Sequence, residues 1–427
     1  MKFIHTADLH LDSPLRGLAS YPDAPAGRLR TATRDAFHNL VTCAIDEQVD
    51  FMVIAGDIYD GDWKDFNTGL FFVRQMGRLR HRGIPVYLLY GNHDAESEMT
   101  RVLELPDNVH VFSARKSETF RIEAKKVALH GRSFKVAATT ENLLPSYPEP
   151  VPGWLNIGVL HTALEGNSEH AKYAPCSVAE LQAKGYQYWA LGHVHECWIQ
   201  RGSVTIAYPG NLQGRHIREV GIRGALLVTT EDAEVSGVDR LAVDVLRWHA
   251  LEIDISEVTD LKGAVRMVGL AMERLLEATP ADLPLAVRVV FKGRSAAHAE
   301  LLLGEGQLRQ EVIAQAVALD ADRIWVEKIR VDSEGLRVSL SSSEDEALGA
   351  LAELESLALS AQDDPDFVRS LLADWQSLLE KLPHDVLQTA PDLSALRQDP
   401  SSHVSDRITQ AAPLLMARVS QDARSPS

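Results

Sequence analysis

Short apolar runs, broken by polar turns and by longer stretches of helical period, organise the first half of the chain. The runs at 2–6, 51–55, 86–89, 127–130, 157–160, 188–191, 204–208 and 225–228 predict strands, and their alternation with helical stretches predicts a layered α/β domain. Between the first two runs, Leu29, Phe37, Leu40, Ala44 and Ile45 share one helical face. Residues 67–82 predict a further helix that stops at Gly83, and prolines at 145, 148, 150 and 152 make 143–152 a surface loop.

A second unit begins near Trp248. Strands are expected at 250–255, 286–291 and 324–331, and helices at 261–278 and 297–319, which together read as a small α/β cap. The domains expected are thus 1–245, 246–335 and 336–427. In the last of these, three serines at 341–343 lead into an acidic helix at 344–361, which breaks at Asp363-Asp364-Pro365. A helix at 366–382 follows, with Phe367, Leu371, Trp375, Leu378 and Leu382 on one apolar stripe. From Pro383 onward polar residues dominate. A short helix near 408–419 is expected there, with part of the tail disordered.

Composition narrows the classes. No apolar run is long enough to span a bilayer, and residues 1–6 read as a strand rather than a signal peptide, so a cytoplasmic protein is expected. Cys43, Cys176 and Cys197 are too scattered for a disulfide framework or a thiolate metal site. The net charge of -17 argues against holding nucleic acid on a broad basic surface. Residues 331–427 have 17 acidic and 7 basic side chains, a net of -10, which leaves -7 for the rest. Contact with nucleic acid would need a local basic patch, metal ions or a partner.

The chemistry gathers where the predicted strands end. The first delivers Asp8, His10 and Asp12; the second Gly56-Asp57; the third Gly91-Asn92-His93-Asp94; later ones His161 and the run Gly192-His193-Val194-His195. Carboxylates, imidazoles and an amide converging on one sheet edge suit a pair of divalent cations about 3.5 to 4 Å apart, with a carboxylate bridging them. Asp57 is the bridging candidate. Nitrogen and oxygen donors without sulfur favour manganese, iron or zinc over magnesium or calcium.

The ordered set DLH, GD, GNHD, H and GHVH resembles the calcineurin-like metallophosphoesterases across nearly all of residues 1–230. Within them the chain is similar to the nuclease subunits of SbcCD-type DNA repair complexes and to their YhaO-like bacterial branch. The run Tyr208-Pro209-Gly210-Asn211-Leu212-Gln213-Gly214-Arg215-His216 and the cap after it support that narrower likeness. The resemblance implies a β-sandwich flanked by helices, with an α/β cap and a helical C-terminal extension. It implies that Asp8, His10, Asp57 and His195 hold one ion, and that Asp57, Asn92, His161 and His193 hold the other. It places His93 beside the scissile phosphate with Asp94 orienting its ring, and leaves Asp12 a supporting role.

The expected activity is therefore DNA phosphodiester hydrolysis by a hydroxide activated between two manganese ions. The partners implied are DNA, an SMC-like coiled-coil ATPase and a second copy of the chain. A phosphatase or phosphodiesterase for small molecules, or a DNA-end scaffold with weak catalysis, are the alternatives. One departure bears on this: the family's nucleases commonly carry a histidine three residues after the bridging aspartate, and here Asp60 stands there. Arg215, His216, Arg218 and Arg223 form the best basic cluster, which either grips a DNA backbone or forms a solvated loop. The stripe from Phe367 either docks on a partner's coiled coil or covers this chain's own cap. His5, His38, His130 and His298 are assigned to ordinary packing and hydrogen bonding, His5 in the interior.

Overall fold

A computed structural model describes the chain except for residues 16, 19–25, 61–65, 97–102, 165–172, 337–352, 355, 382–402 and 423–427. The chain divides into two compact units. One comprises Met1–Ala250, Leu276–Arg288 and Asp320–Lys328; the other comprises Leu251–Leu275, Val289–Leu319 and Ile329–Ser427.

The first unit runs β1 (Lys2–Thr6), α1 (Ala26–Asp46), β2 (Phe51–Ala55), α2 (Phe66–Arg80), β3 (Val86–Leu89), α3 (Asn92–Glu96), β4 (Val109–Val111), β5 (Glu118–Ile122), β6 (Val127–Gly131), β7 (Leu155–His161), α4 (Val178–Ala183), β8 (Tyr188–Gly192), β9 (Trp198–Gln200), β10 (Thr205–Tyr208), β11 (Gly224–Glu231) and β12 (Glu234–Ala242). Two six-stranded sheets form, in the orders β12-β11-β1-β2-β3-β4 and β5-β6-β7-β8-β10-β9. β1 to β4 are parallel, as are β6, β7, β8 and β10, while the outer strands β11, β12, β5 and β9 run antiparallel to their neighbours.

Strand periodicity sorts the side chains into layers. Phe3, Phe51, Val53 and Leu89 meet Leu129, Ile157, Val159 and Ala190 between the two sheets. The alternate residues Ile4, Met52, Ile54 and Leu88 pack on Phe37 and Leu40 of α1 and Phe72 and Met76 of α2. On the far face of the second sheet, Leu160, Trp189 and Leu191 pack with Leu181 of α4 and with Tyr147 and Tyr186. The predicted layered α/β architecture, a β-sandwich flanked by helices, is thus present. Four strands of this unit were not anticipated. β4 and β9 have three residues each, too few to show a period, and β5 and β12 alternate with mostly polar or half-exposed side chains.

In the remaining chain, β13 (Arg247–Asp254), β14 (Leu285–Lys292) and β16 (Ile324–Val331) make a three-stranded sheet, and the two-residue strands β15 (Arg294–Ser295) and β17 (Glu334–Gly335) pair with each other. The helix α5 (Leu261–Glu277) buries Leu261, Ala264, Val265, Val268 and Met272. The stretch predicted as one helix over 297–319 is two, α6 (His298–Leu303) and α7 (Glu305–Asp320), separated at Gly304. The stripe helix is α8 (Pro365–Glu380); Phe367 is 45% exposed and Leu371 and Trp375 are half-buried, while Leu382 and most of the expected acidic helix 344–361 lie outside the described residues. The tail carries a longer helix than expected, α9 (Val404–Asp422), which packs on α6 and buries Val404, Ile408 and Ala412 at steps of four.

No helix among the described residues is long and apolar enough to cross a membrane. All three cysteines are free thiols. His5 bonds Tyr188 Oη and the Leu191 carbonyl in the interior, where burial lowers its pKa to about 3. His130 is held by Thr119 and Asn156, His298 by Ser333 and His38 by Arg78, as ordinary packing predicts.

Candidate metal centre

Parallel strands bring the carboxyl ends of β1, β2 and β3 to one edge of the first sheet, and those of β7 and β8 to one edge of the second. The loops after β1 and β2 are zipped together by Asp8 N–H to the Gly56 carbonyl, His10 N–H to Asp57 and Leu11 N–H to Ile58. Five polar residues on these turns adopt left-handed backbone: Asp8 (φ 50°), His10 (41°), Asp12 (64°), Asp57 (54°) and His193 (100°). Such conformations cost a non-glycine residue about 1 to 3 kcal/mol each, and their clustering marks a place where side-chain direction overrides backbone preference. Two glycines let the backbones approach. A Cβ on Gly91 would collide with Asp57 Oδ1, and one on Gly192 would collide with the Ala55 carbonyl.

The side chains converge in three groups among the described residues. Asp8, His10 and His195 offer ligand atoms within 4.8 Å of one another, as do Asp57, His161 and His193, and His10 also joins Asp60 and His93 at the rim. Asn92 Oδ1 stands 3.0 Å from His161 Nε2, and Asp57 Oδ2 stands 3.4 Å from it. His161 Nδ1 donates to the Ala55 carbonyl at 2.8 Å, which leaves Nε2 as the nitrogen turned toward these two oxygens. Burial lowers the His161 pKa, but the Asp57 and Asp8 carboxylates outweigh it and raise the value to about 9. Burial likewise pushes Asp57 up, yet His161, with His10 and His93, holds it well below the usual carboxylate range. Asp8, fully buried, is pushed up to about 6 against the pull of His195 and His161.

The second pair of rings makes the same demand. His10 Nδ1 bonds Asp60 Oδ1 at 2.8 Å, and His195 Nδ1 bonds Glu219 Oε1 at 2.8 Å. A carboxylate only accepts, so each Nδ1 carries a proton, and in the neutral rings each Nε2 presents a lone pair. Those two Nε2 atoms face each other at 3.1 Å. Burial, with Arg215 next in effect, lowers the His10 pKa to about 4, which keeps the ring neutral. Lone pairs aimed at one another in the interior fit a cation between them, and the donors are those that borderline divalent ions accept.

Other expected site residues take distinct places. His93 is 42% exposed at its side chain, its ring lies 5.1 Å from that of His10, and its backbone N–H donates to Asp57 Oδ1 at 3.1 Å. Asp94 is fully buried; Oδ1 accepts from Ile58 N and Tyr59 N and Oδ2 from Gly91 N, which ties the β3 turn to the β2 turn. Burial and the Asp57 charge raise its pKa to about 7. Asp60 Oδ1 lies 4.0 Å from His93 Nδ1, while the bonds of Asp94 to Ile58, Tyr59 and Gly91 hold the turn that carries His93. Asp12 is drawn away from the centre: it is paired with Arg34 through both oxygens, at 2.6 and 2.5 Å, and accepts from Thr68.

The basic cluster separates. Arg218 is exposed and His216 half-exposed, whereas Arg223 is 1% exposed, with its guanidinium on the His195 and Val220 carbonyls and on Glu196. Arg215 is 15% exposed and lies between Asp60 and Glu219. Glu219 was not anticipated as a site residue. Its only sequence signal is an acid four residues after Arg215 in a basic run, which also reads as a surface pair. Phe134 and Tyr173, whose rings stand 5.5 Å from His161 and 5.3 Å from His193, were also missed, because both come from loops.

The family description "Calcineurin-like phosphoesterase" matches residues 1–197, and "Metallophosphoesterase YhaO, middle domain" matches residues 248–334. The chain is 32% identical over 389 residues to the "Uncharacterized metallophosphoesterase YhaO" of Bacillus subtilis (strain 168), covering 90% of this chain and 91% of that protein. It belongs to the calcineurin-like metallophosphoesterases, in the YhaO family. It is also 25% identical over 212 residues to the "DNA double-strand break repair protein Mre11" of Methanopyrus kandleri, covering 46% of this chain and 44% of that one. The protein of the same name from Sulfurisphaera tokodaii is 25% identical over 242 residues, covering 53% and 60%. The chain thus spans less than two thirds of either Mre11 protein. Metallophosphoesterases hydrolyse phosphoesters with divalent cations, and the facing acceptors at this centre fit such ions.

Proposed function

We propose that this metallophosphoesterase is a DNA nuclease that hydrolyses phosphodiester bonds with two divalent cations, manganese being the best fit to its donors. Asp8, His10, His195 and Asp57 hold one ion, and Asp57, Asn92, His161 and His193 the other. The bound pair supplies the charge that acidifies an attacking water and offsets charge building on the phosphate. His93, at the exposed rim of the cluster, gives the departing oxygen its proton or balances the phosphate charge. Arg218 is the solvent-facing cation of the basic loop, with the half-exposed His216 beside it as a hydrogen-bonding ring, both available to a DNA backbone. The observation that carries the reading is the pair of imidazole nitrogens facing each other at 3.1 Å, each fixed from behind by a carboxylate. Similarity to two proteins named for DNA double-strand break repair supports DNA as the substrate.

The test is cleavage of end-labelled linear duplex DNA in manganese, set beside hydrolysis of a p-nitrophenyl phosphodiester. Shortened DNA products are expected. Turnover of the small ester with intact DNA would replace this reading with a small-molecule phosphodiesterase; binding of DNA ends with turnover of neither would replace it with a scaffold.

A cytoplasmic location and a coiled-coil ATPase partner complete the proposal. Support for the partner comes from α8, whose Phe367, Leu371 and Trp375 stay half-buried or exposed along one face. Phe367→Ser together with Leu371→Ser, which leaves α9 packed on α6, is expected to abolish co-purification of that partner and to leave the thermal melting unchanged. A variant that aggregates would mean that the helix covers its own protein.

A further inference from the structure

The two carboxylates behind the facing histidines are joined to one another. Arg215 Nη1 stands 3.6 Å from Asp60 Oδ1, and Arg215 Nη2 stands 3.3 Å from Glu219 Oε1. Asp60 Oδ1 is the atom that bonds His10, and Glu219 Oε1 is the atom that bonds His195. A closed ring results: His10, Asp60, Arg215, Glu219, His195 and back across the 3.1 Å gap between the two Nε2 atoms. Arg215 Nη2 also lies 3.2 Å from His195 Nδ1, but that nitrogen already donates to Glu219, so the guanidinium is serving the carboxylate.

The ring is anchored on the loop side. Glu219 is 5% exposed, and its Oε2 accepts from Arg215 N at 2.7 Å and from Asn211 Nδ2 at 2.9 Å. Arg215 Nη1 donates to Ser13 Oγ at 3.3 Å, which ties the loop after β10 to the loop after β1. The planar guanidinium meets each carboxylate with a different nitrogen, Nη1 in an ion pair with Asp60 and Nη2 in a hydrogen bond to Glu219. Burial pushes both acids up, but the imidazoles and Arg215 outweigh it and keep both well below the usual range.

We infer that Arg215 is a positioning residue for the metal centre: by clamping Asp60 and Glu219 it fixes the rings of His10 and His195, and so governs the affinity of the cation those rings hold. This rests on the two-cation reading above, not on DNA being the substrate. It also gives Asp60 a role in this chain, that of the carboxylate behind His10, matched by Glu219 behind His195. Groups that orient ligands in this way commonly change metal affinity on the order of ten- to a hundredfold.

The experiment is manganese titration of the full chain followed by electron paramagnetic resonance, which distinguishes an exchange-coupled pair from a single ion. Wild type is expected to bind two ions with a coupled spectrum. Arg215→Ala is expected to keep one ion and lose about tenfold or more in affinity for the second, giving the six-line spectrum of an isolated ion. Arg215→Lys, which keeps the charge without the fork, is expected to lie between the two, and added guanidinium is expected to restore coupling to Arg215→Ala. Glu219→Gln reports on the same ion should Arg215→Ala fail to fold. Two ions at wild-type affinity and a coupled spectrum in Arg215→Ala, or in Glu219→Gln if that is the variant that folds, would overturn the inference. A wild type without a coupled pair would remove the two-cation reading and this inference with it.

Discussion

Asp57→Asn is expected to lower cleavage of linear duplex DNA in manganese by on the order of a thousandfold, about 4 kcal/mol of transition-state stabilisation. Asp57 is a carboxylate that both groups of donors act on. It lies in the group with His161 and His193, and His10 is among the rings that hold its pKa down. The amide keeps an oxygen for the His93 backbone N–H, which Asp57 Oδ1 accepts at 3.1 Å, and places an NH2 opposite His161 Nε2, where Oδ2 stands at 3.4 Å. The turn retains its bond to the His93 N–H but the buried ion pair with His161 is lost, so the melting temperature should fall below that of the wild type while the fold persists. What the substitution removes is the negative charge shared between the cations. Loss of cleavage together with loss of at least one manganese ion assigns hydrolysis to this centre. Full cleavage in Asp57→Asn would show that the cutting arises elsewhere or from a contaminant.

The same residue shows why so much of the centre is legible in sequence. A strand that ends in a ligand must present it at the sheet edge, so the strands before Asp8, Asp57, Asn92, His161 and His193 announced the cluster through their apolar runs alone. The groups around the ligands were less legible, because their direction is set by loops that fold back over long sequence distances. Asp8 and Asp12 occur in one Asp-Leu-His-Leu-Asp run, yet Asp8 turns into the cluster and Asp12 is captured by Arg34 and Thr68 of the two helices that follow. Arg215, Arg218 and Arg223 look alike in sequence, but one is clamped between acids, one is exposed and one is buried on a carbonyl of the ligand loop. Asp60 reads as a missing histidine until its oxygen is found 2.8 Å from His10 Nδ1. In the fold, β4 and β9 were illegible for a simpler reason, since three residues do not make a period.

His93→Gln is expected to slow DNA cleavage by on the order of a hundred- to a thousandfold in kcat with both manganese ions still bound. The ring lies at the rim, grouped with His10 and Asp60, 5.1 Å from the His10 ring and open to solvent on one side, so a phosphate seated on the cations would meet it. Its backbone N–H to Asp57 is unaffected by the side chain, which protects the turn in the variant. Two roles remain for an imidazole at that rim, and the leaving group separates them. A deoxyribose alkoxide needs a proton as it departs, whereas p-nitrophenolate leaves without one. If His93 supplies that proton, the loss on a p-nitrophenyl phosphodiester should shrink to about tenfold or less, while the loss on DNA stays large. An equal loss on both substrates would assign the ring to the phosphate charge instead. A His93→Gln enzyme that cuts DNA at the wild-type rate would exclude it from the chemistry and leave proton delivery to solvent.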